Sequence, residues 1–362
     1  MNKSFKMNYI LFFLGNLFIQ ISYNCSNIIF LGNFLNTFKF IGYLLLSFLC
    51  ILNLFRLKIN SKKLLLLILL FMVSVFVQIK YGNQMFLEIF LYIFSSMVLY
   101  FEKVIKFDFI TKISILILIV SSYFLNYTDG LYEKAFRIDH YRYSLGFFHP
   151  NTLGMFIAIL TFEYLYIKRN KLSFSNILLA LVINFIILKI AESRTSFFCI
   201  ILLLLTLMFK KYVEKFLYNN KKHFFIKNQF LIMSIICVLL TIIYSYYNNF
   251  SLLIELNNMF SGRLEIQSNY LKLYPINLLG NNIEIFRTLD CGFIKVILNY
   301  GLLSFFILVK IFKENFKKGF SKKNTVLILI NLIIILYTIS ESYFIYVPYN
   351  IFMIYSFSNI NK

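Results

Sequence analysis

The sequence predicts an all-α integral membrane protein with about 11–12 transmembrane helices and one large outer loop. Its 362 residues are 60% hydrophobic and only 14% charged, and the mean hydropathy is +0.77. Apolar runs of the kind that form spanning helices recur from one end of the chain to the other. Residues 248–290, in contrast, carry charged side chains too closely spaced for hydrocarbon, and they form the large extracytoplasmic loop.

Twelve apolar runs define the predicted spans of a single membrane domain covering residues 1–362. Several runs are about 14–16 residues long where about 20 is usual, so the count stays open between 11 and 12. The first run follows Lys3 and Lys6 and is interpreted as an uncleaved signal anchor. The spans are residues 8–22, 37–55, 64–79, 84–101, 109–126, 151–167, 172–190, 196–209, 230–247, 291–309, 325–340 and 343–358.

The basic residues orient the chain. A net charge of +21 would point to a nucleic-acid partner in a soluble protein. Here most Lys and Arg residues fall in alternate loops, which places the N- and C-termini in the cytoplasm by the positive-inside rule. The charge therefore indicates orientation in the cytoplasmic (inner) membrane and contact with its lipids, and no nucleic acid is expected.

The first 126 residues are predicted to serve packing and lipid contact. Their charges lie mostly near span ends, where they ordinarily act as anchors, and Lys112 is counted with the cytoplasmic cluster that starts at Lys103. The five cysteines do not form a disulfide framework and are interpreted as structural thiols.

The outer loop at residues 126–150 leads into span six. Pro150 suits the first position of a helix, which leaves His149 at the cap. His149 then lies at the outer mouth of the span, either as a capping or loop histidine or as a proton acceptor or sugar-binding donor. Arg142 and Asn151 flank it as supporting candidates.

A tight turn at residues 191–196 joins spans seven and eight on the outer side. It places Glu192 and Arg194 where two apolar runs meet. A membrane-embedded arginine is costly unless it is paired or solvated, so the turn predicts a cavity that faces outward. Alternatively, Glu192 and Arg194 neutralise each other in a structural hairpin.

A short helix is predicted within the large loop. Ser261 is its expected N-cap and Tyr274-Pro275 its end, so Arg263, Gln267, Tyr270 and Tyr274 share one face. An arginine in the first turn of a helix is disfavoured by the helix dipole, which indicates an anionic ligand for Arg263.

Two carboxylates complete the outer-face set. Asp290 opens span ten, either as a catalytic base or as the N-cap of that span. Glu341 lies in the turn between spans eleven and twelve, either as a site carboxylate or as an exposed loop residue. The predicted topology brings both to the face that also carries Arg194, Arg263 and His149.

The motifs that are missing narrow the chemistry. The chain has no P-loop, no glycine-rich dinucleotide motif, no HExxH, no CxxC and no DxD pair. No metal or cofactor is expected, and chemistry driven by ATP or a nucleotide sugar at the inner face is disfavoured. A substrate that brings its own leaving group needs only arginines for phosphate and a carboxylate or histidine for a hydroxyl proton.

Four groups of short strings follow one another in a recognisable order. GFFHPNTLG precedes a span, ESRTS joins two spans, SGR and YPINLLGNN lie in the large loop, and DCGFIKVILNYGLLS opens the next span. In this order and topology they resemble the Wzy-type polysaccharide polymerases of the O-antigen polymerase and ligase superfamily. The resemblance runs from about Tyr141 to Gly301, whereas the first 126 residues are similar only in hydropathy.

The resemblance implies a membrane-embedded, inverting, metal-independent glycosyltransferase. Such enzymes join oligosaccharide repeat units carried on polyprenyl (undecaprenyl) diphosphate into capsule, exopolysaccharide or O-antigen at the outer face. By position, Arg194 and Arg263 match the arginines that bind the diphosphates, with Asp290 or His149 as the base. The implied partners are the lipid-linked oligosaccharide, a chain-length regulator and a flippase.

Two other functions stay open. One is a ligase that transfers finished polymer to a lipid or cell-wall acceptor. That branch of the superfamily typically has a histidine at the position of Asp290, so the aspartate favours a polymerase. The other is a flippase or transporter of lipid-linked oligosaccharide, which the absence of an internal repeat and the asymmetric outer loop disfavour.

Overall fold

The computed structural model describes residues 3–55, 61–128, 132–134, 141–283 and 289–359. It confirms a nearly all-helical protein. One short antiparallel hairpin pairs β1 (Tyr132–Lys134) with β2 (Tyr141–Tyr143). The helices are α1 (Lys3–Asn24), α2 (Leu35–Leu54), α3 (Ser61–Tyr81), α4 (Met85–Ser96), α5 (Phe101–Phe124), α6 (Pro150–Ile167), α7 (Phe174–Ala191), α8 (Arg194–Met208), α9 (Lys210–Leu217), α10 (Asn220–Lys227), α11 (Gln229–Tyr247), α12 (Ser251–Met259), α13 (Arg263–Leu273), α14 (Gly292–Lys295), α15 (Gly301–Ser321) and α16 (Thr325–Thr338).

Within the described ranges, five helical stretches are long and apolar enough to cross a membrane, or six if α8 and α9, bent by 89°, form one span. α7 turns the side chains of Leu178, Val182 and Phe185 outward, each about half exposed. Exposed apolar faces of this extent are covered by lipid. The count is smaller than the predicted 11–12, in part because α4 and α16 are short. The five stretches are Gly32–Leu54, Lys63–Tyr81, Phe174–Ala191, Gln229–Tyr247 and Gly292–Ser321.

The predicted twelfth span at residues 343–358 is wrong. The chain there forms short 3₁₀ turns at Ser342–Ile345, Val347–Tyr349 and Ile351–Ile354, and nearly every side chain is buried in protein. Pro348 lacks an N–H and disfavours helix in the residue before it. An apolar run of this length has the same hydropathy in lipid and in a protein core, so its composition could not separate the two.

The helices divide between two compact units, each built from separated parts of the chain. The first unit comprises Met1–Lys58, Leu91–Lys210 and Pro348–Lys362. In it α1 packs along α2 and α5, and α6 packs against α5, α7 and α8. The contact between α1 and α2 is close at Gly42, where an added Cβ would lie 2.6 Å from Ile19.

The second unit comprises Ile59–Phe90 and Lys211–Val347. In it α11 packs against α13 to α16. A five-residue π-helical segment, Val296–Tyr300, interrupts the helical stretch Gly292–Ser321.

The loop at residues 277–281 packs closely against the end of this π-helical segment. The amide of Asn281 donates to the carbonyl of Leu298 at 2.9 Å, and the amide of Leu302 donates to the carbonyl of Asn277 at 3.0 Å. Gly301 has φ +82°, and an added Cβ would lie 2.3 Å from the nitrogen of Gly280. Two of the short sequence strings quoted above, YPINLLGNN and DCGFIKVILNYGLLS, are thus joined by backbone hydrogen bonds.

Candidate functional site

Arg263 is the first residue of α13, and the turn before it is unusual. The predicted helix is confirmed at Arg263–Leu273, but its N-cap is Gly262 and not Ser261. Both residues have left-handed backbones, with φ 59° at Ser261 and 80° at Gly262. The Asn257 side chain of α12 accepts the amide of Glu265 at 3.2 Å. This bond satisfies one first-turn donor, a role the sequence had assigned to Ser261.

The Arg263 guanidinium lies between two carboxylates. Its Nε donates to Asp290 Oδ2 at 3.0 Å, and one terminal nitrogen donates to Glu341 Oε1 at 3.1 Å. The side chains of Arg263, Asp290 and Glu341 are 17%, 30% and 8% exposed. We call these three residues the arginine cluster. It holds one positive and two potential negative charges.

The structure excludes one of the two sequence interpretations for each carboxylate, the N-cap for Asp290 and the exposed loop residue for Glu341. Cys291, not Asp290, is the N-cap of α14, so the capping interpretation of Asp290 is wrong. The interpretation of Glu341 as an exposed loop residue is also wrong, because Glu341 is only 6% exposed. Each carboxylate instead pairs with Arg263.

Glu341 has the electrostatic character of an acid–base group. Burial raises its pKa from the ordinary 4.5, Arg263 opposes that increase, and the charge of Asp290 adds to it, so that the pKa is about 7. A carboxyl group with this pKa is partly ionised at neutral pH. It can therefore accept a proton and release it again.

The other residues of the predicted stripe on α13 are engaged in packing. Gln267 is buried and its Oε1 accepts from Thr241 Oγ1 at 3.0 Å. Tyr270 is 4% exposed and stacks on Tyr274 with ring centroids 6.3 Å apart. Tyr270 thus supports α13 through its packing, whereas Arg263 carries the contacts to the carboxylates.

A second cation, Lys295, contacts the residue that follows Glu341 in sequence. Lys295 Nζ donates to the hydroxyl of Ser342 at 3.2 Å and lies over the ring of Tyr346, 5.6 Å from its centroid. The segment that follows Asp290 thus brings a further positive charge to the segment that follows Glu341.

His149 caps α6, as one of its two sequence interpretations predicted. Its Nδ1 accepts the amide of Asn151 at 3.1 Å, and Pro150 is the first helical residue. Arg142 joins the same corner, with Nε donating to the carbonyl of Ala191 at 2.9 Å and a terminal nitrogen to Asn151 Oδ1 at 2.6 Å. The catalytic alternative for His149 stays a hypothesis.

The turn between α7 and α8 is as tight as predicted. Glu192 has a left-handed backbone with φ 48° and ends α7, while Arg194 begins α8 with its side chain exposed. The described residues contain no ion pair to Arg194, which disfavours the neutralised hairpin. An added Cβ on Gly154 would lie 2.3 Å from Ser193 Cβ, so the strings GFFHPNTLG and ESRTS also pack directly together.

The predicted site residues therefore fall into two groups. Arg263, Asp290 and Glu341 form the arginine cluster of the second unit, with Tyr270 on the same helix as Arg263. The joint action of Arg194 and Arg263 on one diphosphate stays a prediction. The first unit contains the remaining candidates, His149, Arg142, Asn151, Glu192 and Arg194, around the start of α6 and the α7–α8 turn.

The sequence analysis missed a second ionic group. Lys112 is fully buried between Asp108 and Glu163, and we call these three residues the lysine cluster. Lys112 is therefore no cytoplasmic anchor, and the expectation that the first five spans serve only packing and lipid contact is wrong for α5. The available signal was a glutamate in the middle of an apolar run, together with an Asp–Lys pair at helical spacing.

No protein-family model, curated protein or solved structure matches this chain. Over the described ranges, no group of three or more His, Cys, Asp or Glu side chains has a geometry that could hold a metal ion. The candidate function therefore rests on the chemistry of the arginine cluster together with the order of the family-like strings.

Proposed function

We propose that the protein is a membrane-embedded glycosyltransferase that polymerises saccharide repeat units carried on a polyprenyl diphosphate at the outer face of the membrane. The observation that carries this proposal is Glu341, a buried carboxyl group with a pKa of about 7 that is hydrogen-bonded to Arg263. An inverting transfer needs a base matched to neutral pH and a cation beside it.

In the proposed reaction the acceptor hydroxyl oxygen attacks the anomeric carbon of the donor sugar. Its proton passes to Glu341, the bond from the anomeric carbon to the diphosphate oxygen breaks, and the electron pair leaves with the diphosphate. One displacement inverts the anomeric centre, so no covalent nucleophile is needed. Asp290 holds the Nε of Arg263 and keeps the guanidinium facing Glu341.

Arg263 has donors to spare for an anionic substrate. A guanidinium presents five N–H donors, and the two described hydrogen bonds use one donor each. The remaining donors suit the diphosphate, whose oxygens match the planar fork of arginine. Arg194, whose side chain is exposed, stays a separate phosphate contact predicted from the sequence.

Complementation of a deletion strain tests this proposal. Cells lacking the protein receive wild type, Glu341→Gln, Asp290→Asn, His149→Ala or the control Glu265→Gln, an exposed carboxylate on α13 outside the cluster. We expect no polymer ladder in the deletion strain and in Glu341→Gln, and a normal ladder in the control. The size distribution of surface polysaccharide and the lipid-linked repeat units are measured at matched protein levels.

The same experiment separates the competing functions. A normal ladder in the deletion strain would refute the proposal. Repeat units that accumulate on the cytoplasmic side would indicate a flippase, and full-length polymer that stays on its lipid carrier would indicate a ligase. A ladder lost in His149→Ala but kept in Glu341→Gln would reassign the base to His149.

A further inference from the structure

The lysine cluster is fully enclosed within the first unit. Lys112 Nζ donates to Asp108 Oδ2, four residues earlier on α5, and to Glu163 Oε1 of α6 at 2.5 Å. All three side chains are 0% exposed. The cluster therefore has no direct contact with solvent and must satisfy its charges internally.

The amide groups of α1 serve only one of the two carboxylates. Asp108 Oδ1 accepts from Asn16 Nδ2 at 2.8 Å and from Gln20 Nε2 at 3.3 Å. With the lysine on its other oxygen, Asp108 has the hydrogen bonds that an ionised carboxylate requires. Glu163 receives Lys112 on Oε1, but no described residue is hydrogen-bonded to its buried Oε2.

The total charge of the cluster indicates that one of the two carboxyl groups carries a proton. With both ionised, the cluster has a net charge of −1 in a site enclosed from bulk solvent, and burial of an unbalanced charge costs several kcal/mol. One bound proton makes the cluster neutral. The atom best placed to carry it is Glu163 Oε2, because the oxygens of Asp108 already accept from the lysine and two amides.

We propose that the lysine cluster is a proton-binding site, in which Glu163 holds one exchangeable proton at neutral pH and joins α6 to α5 as a neutral acid. The proton is the ligand, and the site is the pair of carboxyl groups facing one ammonium group. Release of the proton leaves two anions on one cation and weakens the contact between α5 and α6.

Among the described residues, no cation other than Lys112 forms an ion pair with Asp108 or Glu163, so none replaces the proton. The described hydrogen bonds to the cluster from other elements come from the amides of Asn16 and Gln20 on α1. Gln20 also donates to the carbonyl of Pro348 at 2.6 Å. The hydroxyl of Tyr92 from α4 donates to Asn16 Oδ1 at 2.7 Å.

Infrared difference spectroscopy on the purified protein in lipid vesicles tests the proposal. A protonated carboxyl group has a carbonyl stretch well separated from that of a carboxylate, so wild-type minus variant spectra count protonated acids. We expect the wild-type minus Glu163→Gln difference spectrum at neutral pH to show the band of one protonated acid. The buried carboxyls Glu88 and Glu341 are common to both samples and cancel.

Two further variants test whether Glu163 is protonated because the cluster must be neutral or because it is buried. Asp108→Asn leaves Glu163 as the sole counter-ion of Lys112, so Glu163 ionises and its acid band disappears. Lys112→Met removes the cation, so both acids are protonated and the band doubles. These expectations follow from neutrality of the cluster and from no other property of Glu163.

A wild-type minus Glu163→Gln difference spectrum without the acid band would overturn the proposal. So would an acid band that persists in Asp108→Asn, because Glu163 would then be protonated by burial alone. If Lys112→Met does not fold, the Glu163→Gln and Asp108→Asn spectra decide. None of these outcomes depends on the proposed glycosyltransferase activity, which rests on the arginine cluster.

Discussion

The lysine cluster and the arginine cluster contain the same inventory, one cation and two carboxylates, in different surroundings. Every side chain of the lysine cluster is 0% exposed, whereas those of the arginine cluster are 8–30% exposed. In the enclosed cluster an extra negative charge has no solvation, so a proton balances it. In the open cluster Asp290 is the most exposed of the three side chains, while burial raises the pKa of Glu341 to about 7.

The two clusters also differ in their cation, which is lysine in the enclosed cluster and arginine in the partly exposed one. The lysine ammonium is a compact charge with three donors, two of which serve the flanking carboxylates. Arginine has a planar fork with donors left over for an anion from outside. The comparison teaches that the same kinds of residue form an enclosed site in one place and a partly exposed site in the other, because exposure differs.

The largest effect is expected from breaking the lysine cluster. Lys112→Met leaves two buried carboxyl groups without a cation, and loss of one partner of a buried ion pair typically costs about 3–5 kcal/mol. Denaturant unfolding in detergent measures the loss. The triple variant Lys112→Met/Asp108→Asn/Glu163→Gln removes every charge and should regain most of the stability. Equal instability of the two variants would show that packing and not charge is decisive.

In the arginine cluster, substitution of Arg263 is expected to lower the polymerisation rate. Arg263→Ala removes the cation beside the base and the leaving group, and loss of one such donor typically lowers the rate by about 10²- to 10³-fold. Polymerisation of lipid-linked repeat units by the reconstituted protein measures it. Arg263→Lys keeps the charge but loses the fork, so an intermediate rate is expected. A rate unchanged in Arg263→Ala would exclude Arg263 from the reaction.

The pH dependence of Glu341 sharpens the comparison because rate and stability change in opposite directions. The pKa of Glu341 is raised from 4.5 to about 7 on folding. The stability it contributes is therefore complete below 4.5 and is lost as pH rises through about 7. The rate needs the ionised base, so it should fall by about tenfold per pH unit below the pKa.

Unfolding temperature and polymerisation rate, each followed against pH, check both slopes. Glu341→Gln cannot titrate, so this part of the stability slope should disappear in that variant. Glu265→Gln serves as the control and should keep the wild-type profile. A rate profile in which no group titrates near pH 7 would contradict the assignment of Glu341 as base.

The smallest effect is expected at the cap of α6. His149→Ala removes the acceptor for the amide of Asn151, and loss of an N-cap typically costs about 1 kcal/mol. Thermal unfolding measures the loss, and His149→Asn should restore it because asparagine is a good cap. A rate loss in His149→Ala as large as that of Arg263→Ala would instead make His149 part of the reaction machinery.

Local patterns predicted local structure well. Pro150 located the start of α6 with His149 at the cap, and Tyr274-Pro275 located the end of α13. The adjacent apolar runs around residues 191–196 located the α7–α8 turn. Helix ends and tight turns are determined by residues within one or two helical turns of each other, and residues that close in sequence are also close in space.

Partners from distant parts of the chain were less predictable. Arg263 and Glu341 are 78 residues apart, and Lys112 and Glu163 are 51 residues apart. Hydropathy could not show that Lys112 is enclosed or that residues 343–358 form 3₁₀ turns, because apolar composition is common to lipid-facing helices and protein cores. Burial of Glu341, which sets its pKa near 7, was likewise out of reach.

The sequence by itself determined that the chain is helical, apolar and membrane-embedded, and it identified the short polar segments in which site residues lie. Tertiary structure decided which charges meet and how much water reaches them. Charge pairing and burial are properties of elements that come together from distant positions. The tertiary fold alone therefore enclosed one set of two carboxylates and a cation and left the other partly exposed to solvent.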